Sequence, residues 1–275
     1  MKQVTPMFLF ALVISFIATA QHSLTKKWST DTTLAIPESV LFDAQNKILY
    51  ASLINGQPDR ADGKGGIAKV ALNGKILDTN WVTGLNAPKG LGKYNNILYA
   101  ADLTEVAVID IPSGKVTKKI SVEGAQFLND ITVDSKGNVY VSDSRTGKVH
   151  KIENGTVTTY LENLKNPNGL LALGDDLYVL ASGSLYKAGA DKKLTTIAEG
   201  MDASTDGVEQ VKPGEYVVSC WIGVVYYVKN DGSKQQLLDT RADKTNSADI
   251  GYDATNKIVY VPTFFKKGIV AYQLQ

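Results

Sequence analysis

Cysteine and histidine are scarce in this chain. Cys220 is the only cysteine, and His22 and His150 are the only histidines, among 275 residues. One cysteine cannot form an intramolecular disulfide, and the apolar, strand-like context of Cys220 is typical of a buried thiol rather than a nucleophile. Zinc sites are built mostly from these two residue types, so a zinc centre is disfavoured.

A surplus of charge is missing as well. The sequence has 29 Lys and Arg against 28 Asp and Glu, a formal net charge of +1, and the two signs are interspersed. Nucleic-acid and acidic-membrane partners require a basic face or stripe. We therefore expect a small-molecule ligand and no nucleic-acid partner. We also expect the protein to be a monomer.

Two kinds of catalytic motif are also absent. The sequence contains no Gly-Lys-Ser/Thr phosphate loop and no Gly-x-Ser-x-Gly nucleophile elbow. These motifs supply the minimal parts of nucleotide hydrolysis and of serine hydrolysis on α/β scaffolds. The sequence therefore disfavours both classes of enzyme.

Long apolar runs are confined to the N-terminus. Lys2 precedes an apolar run from Met7 to Ile17, which is followed by a small-x-small pattern that ends at Ala20. This arrangement predicts a secretory signal peptide over residues 1–20, cleaved after Ala20, and a periplasmic or secreted protein with no membrane span after cleavage. An uncleaved N-terminal anchor is the alternative. Residues 21–275 are predicted to form one domain.

An apolar residue pair that contains tyrosine recurs along the chain and marks a repeat. The marker pairs, whose second members are 38 to 49 residues apart, are Leu49-Tyr50, Leu98-Tyr99, Val139-Tyr140, Leu177-Tyr178, Tyr216-Val217 and Val259-Tyr260. A period of this length, built from short alternating strands without helical stretches, is typical of β-propeller blades. The sequence predicts an all-β, six-bladed β-propeller.

The two ends of the chain predict how this propeller closes. The stretch from Leu24 to Thr30 is an isolated strand-like piece, and the sixth repeat supplies only three strands. An N-terminal strand that completes the last blade would leave no free sheet edge.

The residues that open the inner strands of a propeller converge beside its axis. Counting back 10 to 12 residues from each marker gives six polar residues: Glu38, Lys89, Asn129, Asn168, Asp206 and Asp249. Hard cations such as calcium prefer oxygen ligands, and we expect Ca²⁺ or another divalent cation to be bound by Glu38, Asn129, Asn168 and Asp206. The alternative is that these residues are polar only because they begin strands.

The first repeat carries an extra segment from Asn55 to Gly66 that is rich in Gly, Pro and Asp. This composition predicts a loop. Successive strands run in opposite directions, so the loop should lie at the end of the propeller where the inner strands begin. There it either overhangs the mouth of the site or forms a tolerated surface insertion.

Four short segments resemble the metal-binding segments of the SMP-30/gluconolactonase/LRE-like six-bladed propellers. They are Pro37-Glu38-Ser39, Phe127-Leu128-Asn129-Asp130, Asn166-Pro167-Asn168-Gly169-Leu170 and Ser204-Thr205-Asp206-Gly207, and the resemblance extends over the whole mature chain. It implies that the matching Glu, Asn and Asp residues bind a divalent cation, often calcium, and that Asn129 also faces the substrate. The implied activity is lactone hydrolysis.

In the implied mechanism the metal polarises the lactone carbonyl and a carboxylate activates water. The resemblance assigns this carboxylate to Asp206. Asp249 is our second choice, and the alternative for Asp249 is a hydrogen-bonded aspartate that only begins a strand. A one-residue shift of register would exchange Asn129 and Asp130 at the axis, so Asp130 is kept as a candidate substrate contact.

The sequence also departs from that family. Its sugar lactonases often have an Arg two residues before the Asn of blade three, where this chain has Phe127. Lys89 could supply a cation instead, and the alternative is that Lys89 is a solvated lysine. Phe127 and Trp221 make the pocket more apolar and favour a hydrophobic lactone or ester over an aldonolactone. The alternative function is a non-catalytic NHL-like propeller that binds a small ligand or a protein partner.

Overall fold

The computed structural model describes residues 21–275, so the predicted signal peptide lies outside the described residues. Within this range the chain forms 24 β-strands and a single turn of 3-10 helix, Phe264–Lys266. None of the described helical structure has the length and apolarity needed to cross a bilayer.

Strand β1 (Leu24–Ser29) precedes five consecutive four-stranded sheets and joins a sixth. Blades one and two contain β2 (Pro37–Asp43), β3 (Ile48–Leu53), β4 (Gly65–Ala71), β5 (Ile76–Leu85), β6 (Pro88–Tyr94), β7 (Ile97–Asp102), β8 (Glu105–Asp110) and β9 (Lys115–Ser121). Blades three and four contain β10 (Leu128–Val133), β11 (Val139–Asp143), β12 (Lys148–Glu153), β13 (Thr156–Leu161), β14 (Pro167–Leu173), β15 (Asp176–Ala181), β16 (Ser184–Ala188) and β17 (Leu194–Ala198). Blades five and six contain β18 (Thr205–Lys212), β19 (Glu215–Cys220), β20 (Val224–Lys229), β21 (Lys234–Asp239), β22 (Gly251–Asp253), β23 (Ile258–Pro262) and β24 (Ile269–Leu274).

The first strands of the six blades form a closed ring around the axis. Each of β2, β6, β10, β14, β18 and β22 contacts the inner strand of the next blade, and β22 contacts β2. The predicted six-bladed propeller is therefore confirmed.

The ring is closed by the N-terminal strand, as the sequence predicted. Strand β1 pairs antiparallel with β24 and completes the sheet in the order β1-β24-β23-β22. Trp28 of β1 packs against Tyr260 of β23, with ring centroids 5.8 Å apart. The first and last strands of the described residues therefore share one blade.

The marker pairs lie on the second strand of every blade and build the core. Tyr50, Tyr216 and Tyr260 are among the largest fully buried side chains. The core consists of apolar clusters between adjacent blades; Tyr50 of blade one, for example, lies in one cluster with Leu98 of blade two. Alternating strand residues thus face the neighbouring sheets, which fixes the blades around the axis.

Candidate active site at one end of the propeller axis

Five of the six residues predicted to converge line one cavity of about 310 Å³: Glu38, Lys89, Asn129, Asn168 and Asp206. Each lies where the pairing of the inner strand with the second strand shifts register, as between Pro37 and Val40 or between Thr205 and Val208. Such irregularities redirect side chains at the rims of sheets. The convergence predicted for these five residues is therefore observed.

The sixth position of this ring belongs to Ala248 rather than to Asp249. The marker Tyr50 pairs with Leu41, three residues after Glu38, and the other complete blades have the same offset. In blade six the marker Tyr260 pairs with Gly251, so the equivalent position is Ala248. Asp249 lies one residue deeper. Counting along the chain misplaced it because the separation between ring residue and marker varies with bulge and turn length.

Asp249 and Asp130 line a second cavity, of about 550 Å³, at the opposite end of the inner strands. Asp130 accepts hydrogen bonds from the backbone N–H groups of Ile131 and Leu170, both at 2.6 Å. Asp249 accepts a hydrogen bond from the Ser39 hydroxyl. The structure thus places Asn129 at the cavity that contains Lys89 and Asp206, and places Asp130, the predicted substrate contact, away from it.

The two deeper aspartates are accommodated by glycines of neighbouring blades. A Cβ atom on Gly90 would come within 2.3 Å of Asp130 Oδ1, and a Cβ atom on Gly207 within 2.4 Å of Asp249 Oδ1. Any larger residue at either position would displace a buried carboxylate.

Burial controls the protonation of the axial carboxylates. It raises the pKa of Glu38 well above its usual range, and the charges of Asp206 and Asp249 raise it further, whereas Lys89 lowers it. Burial and the charge of Asp249 also raise the pKa of Asp206. Burial raises the pKa of Asp249 to about 7. Carboxylates this buried must be neutralised by protons or by a cation.

The two ring asparagines are oriented through their amide nitrogens. Asn129 Nδ2 donates to Ser144 Oγ at 3.0 Å, and Ser144 in turn donates to the Pro167 carbonyl at 2.7 Å. Asn168 Nδ2 donates to Asp206 Oδ1 at 2.8 Å. Their amide oxygens are therefore free to act as acceptors.

Two buried oxygens of this ring have no hydrogen-bond partner, Glu38 Oε2 and Asn168 Oδ1. Unsatisfied buried acceptors are rare, and an ordered water or a bound ion can supply the missing partner. Within residues 21–275 there is no group of three or more His, Cys, Asp or Glu side chains arranged to hold a metal. The predicted set is of another kind, two carboxylates and two amides, and its unpaired oxygens fit a hard cation.

Lys89 and Phe127 form a stack below the extra loop of blade one. Lys89 is 2% exposed, and its Nζ donates to the Pro58 carbonyl at 2.9 Å and to the Ala87 carbonyl at 3.0 Å. Nζ also lies 4.3 Å from the centre of the Phe127 ring. Burial lowers the pKa of Lys89 to about 8, against the charge of Glu38, which raises it.

The extra loop overhangs the cavity, which decides between the two interpretations of its sequence. Pro58 lines the cavity and accepts the hydrogen bond from Lys89. Farther out, Arg145 forms an ion pair with Asp59 at 3.0 Å and stacks on the Phe127 ring.

An apolar wall completes the cavity. Of the residues in this wall, only Trp221 is predicted from the sequence to be part of the pocket. Ile54, Trp221 and Phe264 line the cavity. Each is the fourth residue after the second member of the marker pair in its blade. Ser144, which orients Asn129, occupies the same position in blade three. Counting forward from the markers would therefore have identified a second set of lining residues.

The scarce residues lie away from this cavity. Cys220 is fully buried, and burial raises the pKa of its thiol. His150 lies on the third strand of blade three, and His22 stacks on Tyr227 near the N-terminus. Neither histidine is among the cavity-lining residues.

Comparison with known proteins shows similarity of structure without similarity of sequence. No protein-family model and no curated protein sequence matches the chain. A streptogramin B lyase structure has a TM-score of 0.66 at 11% identity and covers 93% of this chain and 98% of its own. A virginiamycin B lyase from Staphylococcus aureus with quinupristin has a TM-score of 0.64 at 12% identity. This lyase is a catalytically inactive variant in which a histidine is replaced by alanine. It covers 92% of this chain and 99% of its own. At these identities the likeness shows the fold alone.

Proposed function

We propose that this protein is an exported, divalent-metal-dependent hydrolase of the lactonase type that opens a hydrophobic lactone or a related ester. The unpaired buried oxygens Glu38 Oε2 and Asn168 Oδ1 carry the proposal, since they lie beside Asp206 in one cavity. Oxygen atoms without donors in a ring of carboxylates and amides suit a hard cation such as Ca²⁺.

When bound by the four predicted ligands, such a cation would polarise the lactone carbonyl as a Lewis acid. Asp206 would serve both as a cation ligand and as the base, because a carboxylate has about four lone-pair sites. Asn168 occupies one site on Oδ1, and Oδ2 remains for a water molecule. The water oxygen attacks the carbonyl carbon and passes a proton to Asp206. The ring C–O bond then breaks, and the departing oxygen recovers that proton. The product is a hydroxy acid.

Asp249 has a supporting role in this proposal. It lies one residue below the ring and opens on the other cavity. From there its charge acts on Glu38 and Asp206. It stabilises a bound cation through this field without touching the substrate.

The lyase chemistry of the structural neighbours is less favoured. A histidine was replaced in the inactive virginiamycin B lyase. In this chain His22 and His150 both lie outside the cavity, so no histidine is available to act on a ligand there.

A panel of lactones tests the proposal. Hydrolysis of aldonolactones, aliphatic lactones, aryl-substituted butyrolactones and homoserine lactones is measured with calcium, with a chelator, and for Asp206→Ala. We expect turnover of the more hydrophobic members, its loss with chelator, and a loss of at least about 100-fold in the variant, since a general base typically contributes 10²–10⁴-fold. Asp239→Ala, an exposed aspartate of the same blade, is the control.

Two other outcomes would separate the alternatives. If no lactone is hydrolysed, but calcium raises the melting temperature and Asp206→Ala abolishes the rise, the metal site stands and the reaction is wrong. If calcium has no effect either, the protein is a ligand-binding propeller of the NHL kind.

A further inference from the structure

Lys89 is a buried cation whose hydrogen bonds go only to neutral groups. The described residues offer its Nζ two acceptors, the Pro58 and Ala87 carbonyls. An ammonium group has three donors, so one N–H remains unused. Burying a charge is costly unless it is paired, and such groups are concentrated at functional sites.

The unused donor belongs to the candidate active site. Lys89 lines the same cavity as Glu38 and Asn129, which flank it in the ring. The Phe127 ring covers one side of the ammonium at 4.3 Å. This contact compensates part of the desolvation of the ammonium. The cation is therefore held at the cavity wall with one donor available to a ligand.

Anchoring the extra loop does not by itself require a charge. The Pro58 carbonyl is a neutral acceptor, and the outer part of the loop is held by the ion pair between Arg145 and Asp59. A neutral donor would hold the Pro58 carbonyl without the cost of burying a charge. The charge of Glu38 acts on Lys89 through space, but Lys89 donates to no carboxylate among the described residues, so a bound anion would be its direct partner.

Another part of the cavity wall is apolar and aromatic. Trp221 and Phe264 pack edge to face with centroids 5.5 Å apart, and Ile54 lies beside them along the lining. Trp221 is 37% exposed and the adjoining Phe265 is 61% exposed, so this wall continues to the surface. Exposed aromatic side chains at the rim of a cavity are suited to binding an apolar group.

We infer that the cavity binds a monocarboxylate with an aromatic or branched apolar group: Lys89 donates its third N–H to the carboxylate, and the apolar group lies on Trp221 and Phe264. This inference deepens the proposed function and rests on it for the role of the site, because opening a lactone releases a carboxylate. The hydroxy acid product of an aryl-substituted lactone has this chemistry.

Binding of matched probes tests the inference. The probes are 4-phenylbutanoate, its neutral isostere 4-phenylbutanamide, and butanoate, each titrated calorimetrically in the presence of calcium. We expect the acid to bind at least about tenfold more tightly than the amide, as a charge-assisted hydrogen bond provides, and butanoate to bind most weakly.

Three variants assign the contacts. In Lys89→Met the preference for acid over amide should disappear, while the affinity for the amide changes less than about threefold, because only the charged donor is lost. Trp221→Ala should weaken both phenyl probes equally and preserve their ratio. Lys93→Met is the matched control, since Lys93 lies on the same strand but lines the cavity at the opposite end.

The inference is wrong if the unaltered protein shows no preference for the acid, a result that does not depend on the folding of any variant. It is also wrong if folded Lys89→Met keeps the preference, since Arg145 or the metal would then supply the anion contact. Carboxylate binding without lactone hydrolysis would overturn the proposed reaction alone, and hydrolysis without carboxylate preference would overturn this inference alone.

Discussion

At the scale of single residues, the site depends on close packing around the axis. The inner strands carry polar side chains in two tiers along the axis. The first tier is the ring that lines the smaller cavity. The second tier lies one residue further along the strands and contains Ser39, Asp130 and Asp249. The bulges in the inner strands leave some backbone N–H groups near this second tier without a carbonyl partner on the neighbouring strand. Buried serines of the second strands satisfy them: Ser52 Oγ accepts from Ser39 N, and Ser142 Oγ from Asp130 N.

Gly207 offers a test of this packing. A Cβ atom at this position would lie 2.4 Å from both Asp249 Oδ1 and the backbone nitrogen of Ile250. We expect Gly207→Ala to lower the free energy of unfolding by about 1–3 kcal/mol, the usual effect of overpacking. Urea denaturation measures it. Gly189→Ala, where the nearest atom would be 3.5 Å away, should change stability little. Equal stabilities of the two variants would mean that blades five and six are not tightly packed here.

At the scale of elements, the extra loop between β3 and β4 is fixed by the two strands that it connects and by the side chains of Lys89 and Arg145. Lys89 binds the Pro58 carbonyl inside the cavity, and Arg145 binds Asp59 outside it. Both partners of the outer ion pair are about half exposed, with side-chain exposures of 51% and 52%. Such a pair contributes little to global stability but can bias the position of a loop.

Tryptic cleavage after Arg60 measures the effect of this ion pair, because Arg60 is exposed within the loop. We expect Arg145→Met to accelerate cleavage about two- to fivefold, since an exposed ion pair contributes about 0.5–1 kcal/mol. The melting temperature should change little. Lys151→Met removes a comparable ion pair, with Glu153, elsewhere in blade three and should leave cleavage unchanged. An unchanged rate for Arg145→Met would show that Lys89 and the loop ends suffice.

At the scale of the whole molecule, stability depends on the contact between the two chain ends. Strand β1 provides the outer strand of the last blade, and Ser23 and Gln275 exchange backbone hydrogen bonds. Trp28 belongs to the cluster that joins blade six to blade one. Without β1 the edge of β24 would be exposed, and unpaired edges promote aggregation.

Removal of residues 21–31 should therefore lower the melting temperature and cause association, which thermal unfolding and light scattering detect. The milder Trp28→Ala should lower the free energy of unfolding by about 2 kcal/mol, less than the ~3–5 kcal/mol of a fully buried tryptophan. The reason is that Trp28 is only half buried. Lys27→Ala, at an exposed position of the same strand, is the control. A monomeric deletion variant with unchanged melting temperature would show that β1 is dispensable.

The sequence by itself determined the architecture. The spacing of the marker pairs gave six blades, and the isolated N-terminal strand together with an incomplete sixth repeat gave the mode of closure. Both follow from local alternation of apolar residues, which depends on neighbours in the chain. The same spacing brought Glu38, Lys89, Asn129, Asn168 and Asp206 to one end of the axis.

Only the tertiary structure decided the register at the axis. The structure shows that Ala248, not the predicted Asp249, occupies the sixth ring position. It also shows that Asn129 rather than Asp130 lies at the smaller cavity. Ile54, Ser144 and Phe264 line this cavity and were not predicted. The physical reason is the bulge in each inner strand. A shift of one residue sends a side chain to the other tier, and its position depends on pairing with a second strand and on packing against the next blade.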